Sequence, residues 1–245
     1  MDGVSTAATP AARTVRVLVV DDHPALRAGL VGLLGNEPGI ECLGALEGTR
    51  DLMSAMGHLR PDVVVLDYAL GADDGLTTCF RLKQQPHRPG VVLYSAYAGD
   101  VFAVPAAIAQ ADAVVSKSAP VDELLSAIHR AAAGTHPRPV LDRELIQAAS
   151  ARLIVEDLPI ATMLLAGTPV ADIAGVLDTT SADVRNRALR IIGRLQASHA
   201  GDGPEPELTV DVAFGRKTLT SARGLHPAAS QTQPRTSGMS STWRV

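Results

Sequence analysis

The chain is 245 residues long, enough for one or two domains with real cores. Its 46% hydrophobic and 20% charged residues are those of an ordinary soluble protein, and an aromatic share of 3% means that the cores must be aliphatic. The net charge of −4 is unevenly spread: residues 1–134 carry 10 basic and 15 acidic side chains, residues 135–199 carry 7 and 7, and residues 200–245 carry 5 and 4.

Two cysteines, Cys42 and Cys79, stand in apolar surroundings with neither metal-ligand spacing nor a disulfide framework. A reducing compartment is expected, with both thiols acting as small buried hydrophobes. The first fourteen residues are small and polar and lack the apolar centre of a signal peptide. No apolar run approaches the roughly 20 residues that span a bilayer. The expectation is a cytoplasmic protein with no membrane partner.

In chain order, Val15 to Val20 reads as a strand, and Asp21-Asp22-His23-Pro24 leads into a helix from Ala25 to Leu34, where Pro24 suits the first turn. Ile40 to Gly44 is a second strand and Asp51 to Leu59 a helix. Asp62 to Asp67 is a third strand; its run of β-branched and aliphatic residues without polar alternation fits a strand covered on both faces. A Gly-rich loop, Gly71 to Gly75, precedes a helix from Leu76 to about Gln85. Val91 to Ser95, Asp100 to Ala109, Ala113 to Ser116 and Val121 to Ala133 complete five strand-helix pairs.

Strict alternation calls for a parallel sheet with helices on both faces, which gathers all strand ends on one edge. Ligands bind at that edge in open α/β sheets. Asp21 and Asp22 arrive there after the first strand, Asp67 after the third, Ser95 after the fourth and Lys117 after the fifth. Crowded carboxylates call for a hard divalent cation such as Mg2+. An aspartate can attack phosphorus to form an aspartyl phosphate, with a lysine as point-charge partner of the phosphoryl oxygens. The expected reaction is phosphoryl transfer onto Asp67, with Ser95 donating a hydrogen bond to the same group.

Asp21-Asp22, Leu66-Asp67-Tyr68, Gly75, Ser95-Ala96 and Lys117-Ser118-Ala119-Pro120 resemble the receiver domain of two-component response regulators, over about residues 13 to 134. The resemblance implies a flavodoxin-like fold, a sensor histidine kinase as phosphodonor, and Mg2+ held by Asp22, Asp67 and the backbone carbonyl of Ala69, with Asp21 assisting. It makes Asp67 the acceptor, Lys117 the phosphate partner and Ser95 the hydroxyl that moves toward the phosphoryl group. Val114 stands where family members often carry an aromatic that follows that hydroxyl inward, which leaves Tyr94 and Tyr97 beside Ser95 as substitutes or simply as packed aromatics. Gly71 replaces a frequent proline and implies a more mobile loop. His23 reads as a surface loop residue and no metal ligand.

Residues Gly134 to Pro139 are poor in apolar side chains and form the natural boundary. A helix follows from Leu141 to about Val155, then Leu158 to Ala166, Val170 to Leu177 and Ser181 to Ala197, with two short turns between the last three in the manner of a helix-turn-helix. On a wheel of roughly 100° per residue, Val184, Ala188, Ile191, Ile192 and Leu195 share one broad face. Arg187, Arg190 and Arg194 cluster within about 60° on the other side, and no acid occurs from Val184 through His199. Leu164-Leu165-Ala166-Gly167, Asp172 to Leu177, Val184-Arg185 and Leu195 resemble the LuxR/NarL-type output domain, which implies that Arg185 and Arg187 contact DNA; Arg190 and Arg194 join them on charge.

The expected division is thus a receiver at 13–134, a linker with a helix at 135–155, a degenerate LuxR-type output domain at 156–199 and a disordered tail at 200–245. The fold class is α/β, a five-stranded doubly wound parallel sheet followed by a small all-α module. Gly201 to Pro206 interrupts the place of the family's fourth, dimerising helix, so how a homodimer forms on promoter DNA stays open. Two rival readings remain. An aspartyl-phosphate hydrolase would need a second acid two residues after the nucleophile, where this chain has Ala69; the expectation is therefore a regulator and not an enzyme. Alternatively, the degenerate output module acts through a protein partner.

Overall fold

A computed structural model describes residues 13–71, 73–96, 100–135 and 141–197, all within one compact unit, Met1–Gly203; the second unit, Pro204–Val245, lies outside the described residues, and with it the expected tail. β1 (Val15–Val20), β2 (Ile40–Leu46), β3 (Val63–Asp67), β6 (Gly90–Ser95) and β7 (Ala113–Ser116) form one sheet in the order β2-β1-β3-β6-β7. Every pairing in it is parallel. The order turns at β1, whose chain successors lie on opposite sides of it, and a doubly wound sheet opens its ligand crevice at that point.

Side chains alternate across the sheet with the period of 2 that a pleated strand imposes. Val17, Val19, Val63, Val65 and Val92 face one core with Leu30 and Leu34 of α1 (Pro24–Gly35) and Leu124 and Ile128 of α5 (Val121–Ala133). Leu18, Val20, Val64, Leu66 and Leu93 face the other, shared with α2 (Leu52–Leu59), α3 (Gly75–Lys83) and α4 (Asp100–Ile108). All five residues of β3 are buried, so its apolar run has no solvent face to mark with polar residues.

The expected Gly-rich loop is a tight hairpin. β4 (Ala69–Leu70) pairs antiparallel with β5 (Asp73–Asp74), and Gly71 turns the chain at φ 61°, a left-handed value that proline cannot adopt. Asp74 caps α3, its carboxylate accepting from the amides of Leu76 and Thr77 at 3.0 Å each. Gly75 closes the hairpin by donating its amide to the Tyr68 carbonyl at 2.9 Å. A Cβ there would lie 2.4 Å from the Asp67 carbonyl oxygen and 2.7 Å from the Tyr68 Cα.

Downstream, the expected helix from Leu141 to Val155 is shorter. α6 spans Arg143–Ser150, Leu153 tightens the chain by bonding back to Ser150, and Ile154 is extended before a 3-10 turn at Val155–Asp157. α7 (Leu158–Leu165), α8 (Val170–Val176) and α9 (Ser181–Ala197) follow. Thr180 and Asp183 form a reciprocal cap at the start of α9, and the Thr180 hydroxyl holds the Asp183 carboxyl below its ordinary pKa. The inner faces of α7, α8 and α9 belong to the same hydrophobic cluster as the α3/α4 side of the sheet, with α9 packed on both α3 and α4.

Because the neighbours of Gly75 are backbone atoms that cannot swing aside, Gly75→Ala forces the end of β3 away from α3. The expected loss is about 1–3 kcal/mol, read as a lower denaturation midpoint at unchanged slope.

Candidate functional site

The carboxyl ends of β1, β3, β6 and β7 bring together Asp21, Asp22, Asp67, Ser95 and Lys117. Lys117 Nζ donates to Asp67 Oδ2 at 2.7 Å and lies 2.9 Å from Asp21 Oδ2. The Lys117 amide bonds the Ser95 carbonyl at 2.8 Å, which fixes the two strand ends side by side. Ser95 is buried, as are Asp21 and Asp67, while Asp22 is half-exposed. Asp21 Oδ1 accepts from the His23 amide at 2.7 Å, and Asp67 Oδ1 from the Ala69 amide at 3.3 Å.

Three carboxylates therefore face one ammonium. Burial pushes the Asp67 carboxyl above its ordinary value of 3.8; Lys117 opposes the shift and Asp21 adds to it. Burial works against the Lys117 ammonium, but the Asp67 and Asp21 carboxylates outweigh it and lift that group above 10.5. The signs differ in consequence. Native Asp67 holds its proton more tightly than the unfolded chain does, so this carboxyl favours folding below pH 3.8 and that contribution is lost as pH rises through the native value. Lys117 favours folding throughout the neutral range and loses that contribution only in strong base.

The donor set fits a cation. Asp21, Asp22, His23 and Asp67 each offer one ligand atom, and these atoms lie within 4.8 Å of one another. Asp21 Oδ2 and Asp22 Oδ1 are buried without a hydrogen-bond partner among the described residues; Lys117 meets the first as an ion pair and His23 Nδ1 lies 2.7 Å from the second. Buried oxygens with spare lone pairs are what a hard divalent ion takes. His23, read from the sequence as a surface residue, is 65% exposed by side chain yet turns its ring into this cluster, 3.7 Å from Asp67 Oδ2. Its Asp-Asp-His placement was the signal for that.

Ala69 is exposed beside Asp67 in the hairpin. Val114 is partly buried against the α3/α4 side of the sheet, whereas Tyr94 packs into the opposite core, its phenol pushed up by burial. Tyr94 is thus a packed aromatic; Tyr97 lies outside the described residues.

On α9, Arg185 and Arg190 are exposed, with Asn186 between them. Arg187 and Arg194 are engaged elsewhere. Arg187 Nε bonds Asp157 Oδ1 at 2.9 Å and Arg194 Nη1 bonds Asp157 Oδ2 at 2.6 Å, while Arg187 also reaches the Glu156 carbonyl. Asp157 is 1% exposed, and a buried carboxylate demands such partners. Of the four arginines expected at DNA, these two are thus paired within the protein: they border the apolar face, close enough to reach Asp157 at the start of α7.

The sequence profile of the response regulator receiver domain matches residues 17–129. The chain is 32% identical over 139 residues to the DNA-binding transcriptional activator DevR/DosR of Mycobacterium tuberculosis, covering 57% of this chain and 63% of that protein. It is 27% identical over 194 residues to the nitrate/nitrite response regulator protein NarL of Escherichia coli K12, covering 74% of this chain and 88% of that one. A solved LuxR-family two-component response regulator from Aurantimonas sp. SI85-9A1 is 27% identical, covering 56% of this chain and 99% of that chain with a TM-score of 0.49.

Asp67→Asn removes one of three crowded charges and leaves Lys117 its Asp21 partner. In metal-free buffer at pH 7 the variant is expected to melt higher than the parent, by about 2–4 °C for each kcal/mol relieved, and the gap is expected to close as pH falls toward 4. Thermal melts at the two pH values check both the sign and its pH dependence.

Proposed function

We propose, for a chain whose residues 17–129 match the response regulator receiver domain, that a phosphoryl group accepted on Asp67 controls transcription through the α7–α9 module. The observation that carries this is the Lys117 ammonium on Asp67 Oδ2 at 2.7 Å, at a sheet edge that also holds Asp21, Asp22 and Ser95.

A carboxylate oxygen of Asp67 attacks the phosphorus of a phosphohistidine on a sensor histidine kinase. The new P–O bond forms as the P–N bond breaks, and the electron pair leaves on the imidazole nitrogen. Lys117 neutralises the phosphoryl oxygens and the Ser95 hydroxyl donates to one of them. Asp21, Asp22, Asp67 and the carbonyl of Ala69 would hold Mg2+, which supplies further positive charge against the same oxygens when bound. Ala69 stands two residues after Asp67 and offers no carboxyl to activate water, so the acyl phosphate persists as a signal and the chain is a regulator and not a turnover enzyme.

The output side of the reading places Arg185 and Arg190 of α9 on promoter DNA, as suits a chain similar to a DNA-binding transcriptional activator. The division is a receiver at 13–134, a linker at 135–155, an output module at 156–199 and a tail at 200–245, in a cytoplasmic protein that pairs with a second copy on its operator. Among the described residues no helix is long and apolar enough to cross a membrane. A second reading, an output module that binds a protein, is favoured by Val176 of α8, 72% exposed, and by the two arginines already committed to Asp157.

Mixing the chain with Mg2+ and a small acyl phosphate is expected to add one phosphoryl group by intact mass, and none to Asp67→Asn; an unmodified parent chain sinks the acceptor reading. Binding to promoter fragments is expected to weaken steeply with salt. Arg190→Ala is expected to reduce both affinity and salt slope, the slope by about 1, without moving the melting temperature. Arg187→Ala instead lowers the melting temperature by leaving buried Asp157 to Arg194 alone. Salt-insensitive or absent binding selects the protein partner.

A further inference from the structure

The last turn of α9 reaches the acceptor loop directly. Gln196 Nε2 donates to Asp74 Oδ1 and lies 3.4 Å from the Tyr68 hydroxyl. Tyr68 is the residue after Asp67, and its ring stands edge-on to Phe102 of α4 with centroids 4.8 Å apart and planes at 76°. Asp74 is the cap of α3 and pairs across the hairpin with Ala69, whose amide bonds Asp67. One amide side chain of α9 thus grips both legs of the hairpin that leaves Asp67.

The hairpin is the soft element of the site. Its ladder is two residue pairs long, whereas β3 before it is buried throughout and Gly75 after it is locked against the β3 backbone. A phosphoryl group on Asp67 replaces a carboxylate charge of −1 with roughly −1.5 to −2, a net gain of about one negative charge or less, and puts its bulk at the root of this hairpin, where the carboxylate now bonds the Ala69 amide and Lys117. Among the described residues no ring follows Ser95 inward: Val114 is aliphatic and Tyr94 packs into the other core.

We infer that Gln196 is the positioning residue through which α9 senses Asp67: its contacts with Asp74 and Tyr68 hold α9 on the receiver, and phosphorylation of Asp67 releases α9 by shifting the hairpin those contacts grip. This rests on Asp67 being the acceptor. Arg185 and Arg190, the proposed DNA contacts, are exposed in the held state, so what release changes is the freedom of α9 to leave α3 and α4, not the uncovering of its outer face.

The test is hydrogen exchange of the full chain, with and without Mg2+ and beryllofluoride as a phosphoryl mimic. In the parent chain the mimic is expected to slow exchange over residues 63–76 and to speed it over the last two turns of α9 by about fivefold or more. Gln196→Glu sets a carboxylate against Asp74, and α9 is expected to exchange fast without any mimic while residues 15–20 stay protected. Adding Asp74→Asn to that variant keeps a competent cap on α3 and restores an amide-carboxylate pair, so slow exchange is expected to return. Parent-like exchange in Gln196→Glu, or a double variant that stays fast, overturns the inference. So does a mimic that protects residues 63–76 while leaving α9 unchanged, and there the acceptor reading survives. A mimic that protects nothing around Asp67 removes the acceptor reading, and the inference falls with it.

Discussion

The interaction on which the rest of the structure depends is the meeting of Asp67, Asp21 and Lys117 at the buried edge of the sheet. Two carboxylates out of water, with a third alongside and one ammonium between them, form a site with too much negative charge for its own comfort. Such a site is stable only because the sheet around it is over-determined. β3 is apolar to its last residue before the acid, and Gly75 admits nothing larger between α3 and the end of that strand. The crowding of charge is local, and the two aliphatic cores on either side of the sheet hold it in place.

A cluster short of positive charge is also a cluster ready to receive it. The buried oxygens of Asp21 and Asp22 that lack hydrogen-bond partners, and the ring of His23 turned toward them, describe a place for a cation. The Lys117 ammonium describes a place for anionic oxygens. Phosphoryl chemistry needs both at once, which is why the same few residues suit the proposed acceptor role so well.

Packing joins this edge of the sheet to the helices that follow it. The hydrophobic cluster on the α3/α4 side of the sheet continues without a break into the inner faces of α7, α8 and α9. α9 then carries several duties on separate faces: an apolar face into that cluster, Arg187 and Arg194 bracing buried Asp157, Arg185 and Arg190 left to solvent, and Gln196 on the acceptor hairpin. A helix so constrained can change state only as a unit, because its contacts are discrete and its core is close-packed.

Much of this was legible before any coordinates. Periodicity located the five sheet strands and α1 to α5, since a strand covered on both faces and an amphipathic helix leave different apolar spacings; it also located α7, α8 and α9. Convergence of Asp21, Asp22, Asp67, Ser95 and Lys117 followed from topology alone, because a parallel sheet brings every strand's carboxyl end to one edge. What only the tertiary structure decided concerns partners distant in sequence. A helical wheel gives the angle of Arg187 and Arg194 but not what lies beside them, and the deciding neighbour, Asp157, sits 30 and 37 residues away at the start of α7. The Gly-rich segment became a hairpin because Gly75 bonds back to Tyr68, a closure no composition reports. The grip of Gln196 on Asp74 joins residues 122 apart, and only the docking of α9 on α3 and α4 brings them together.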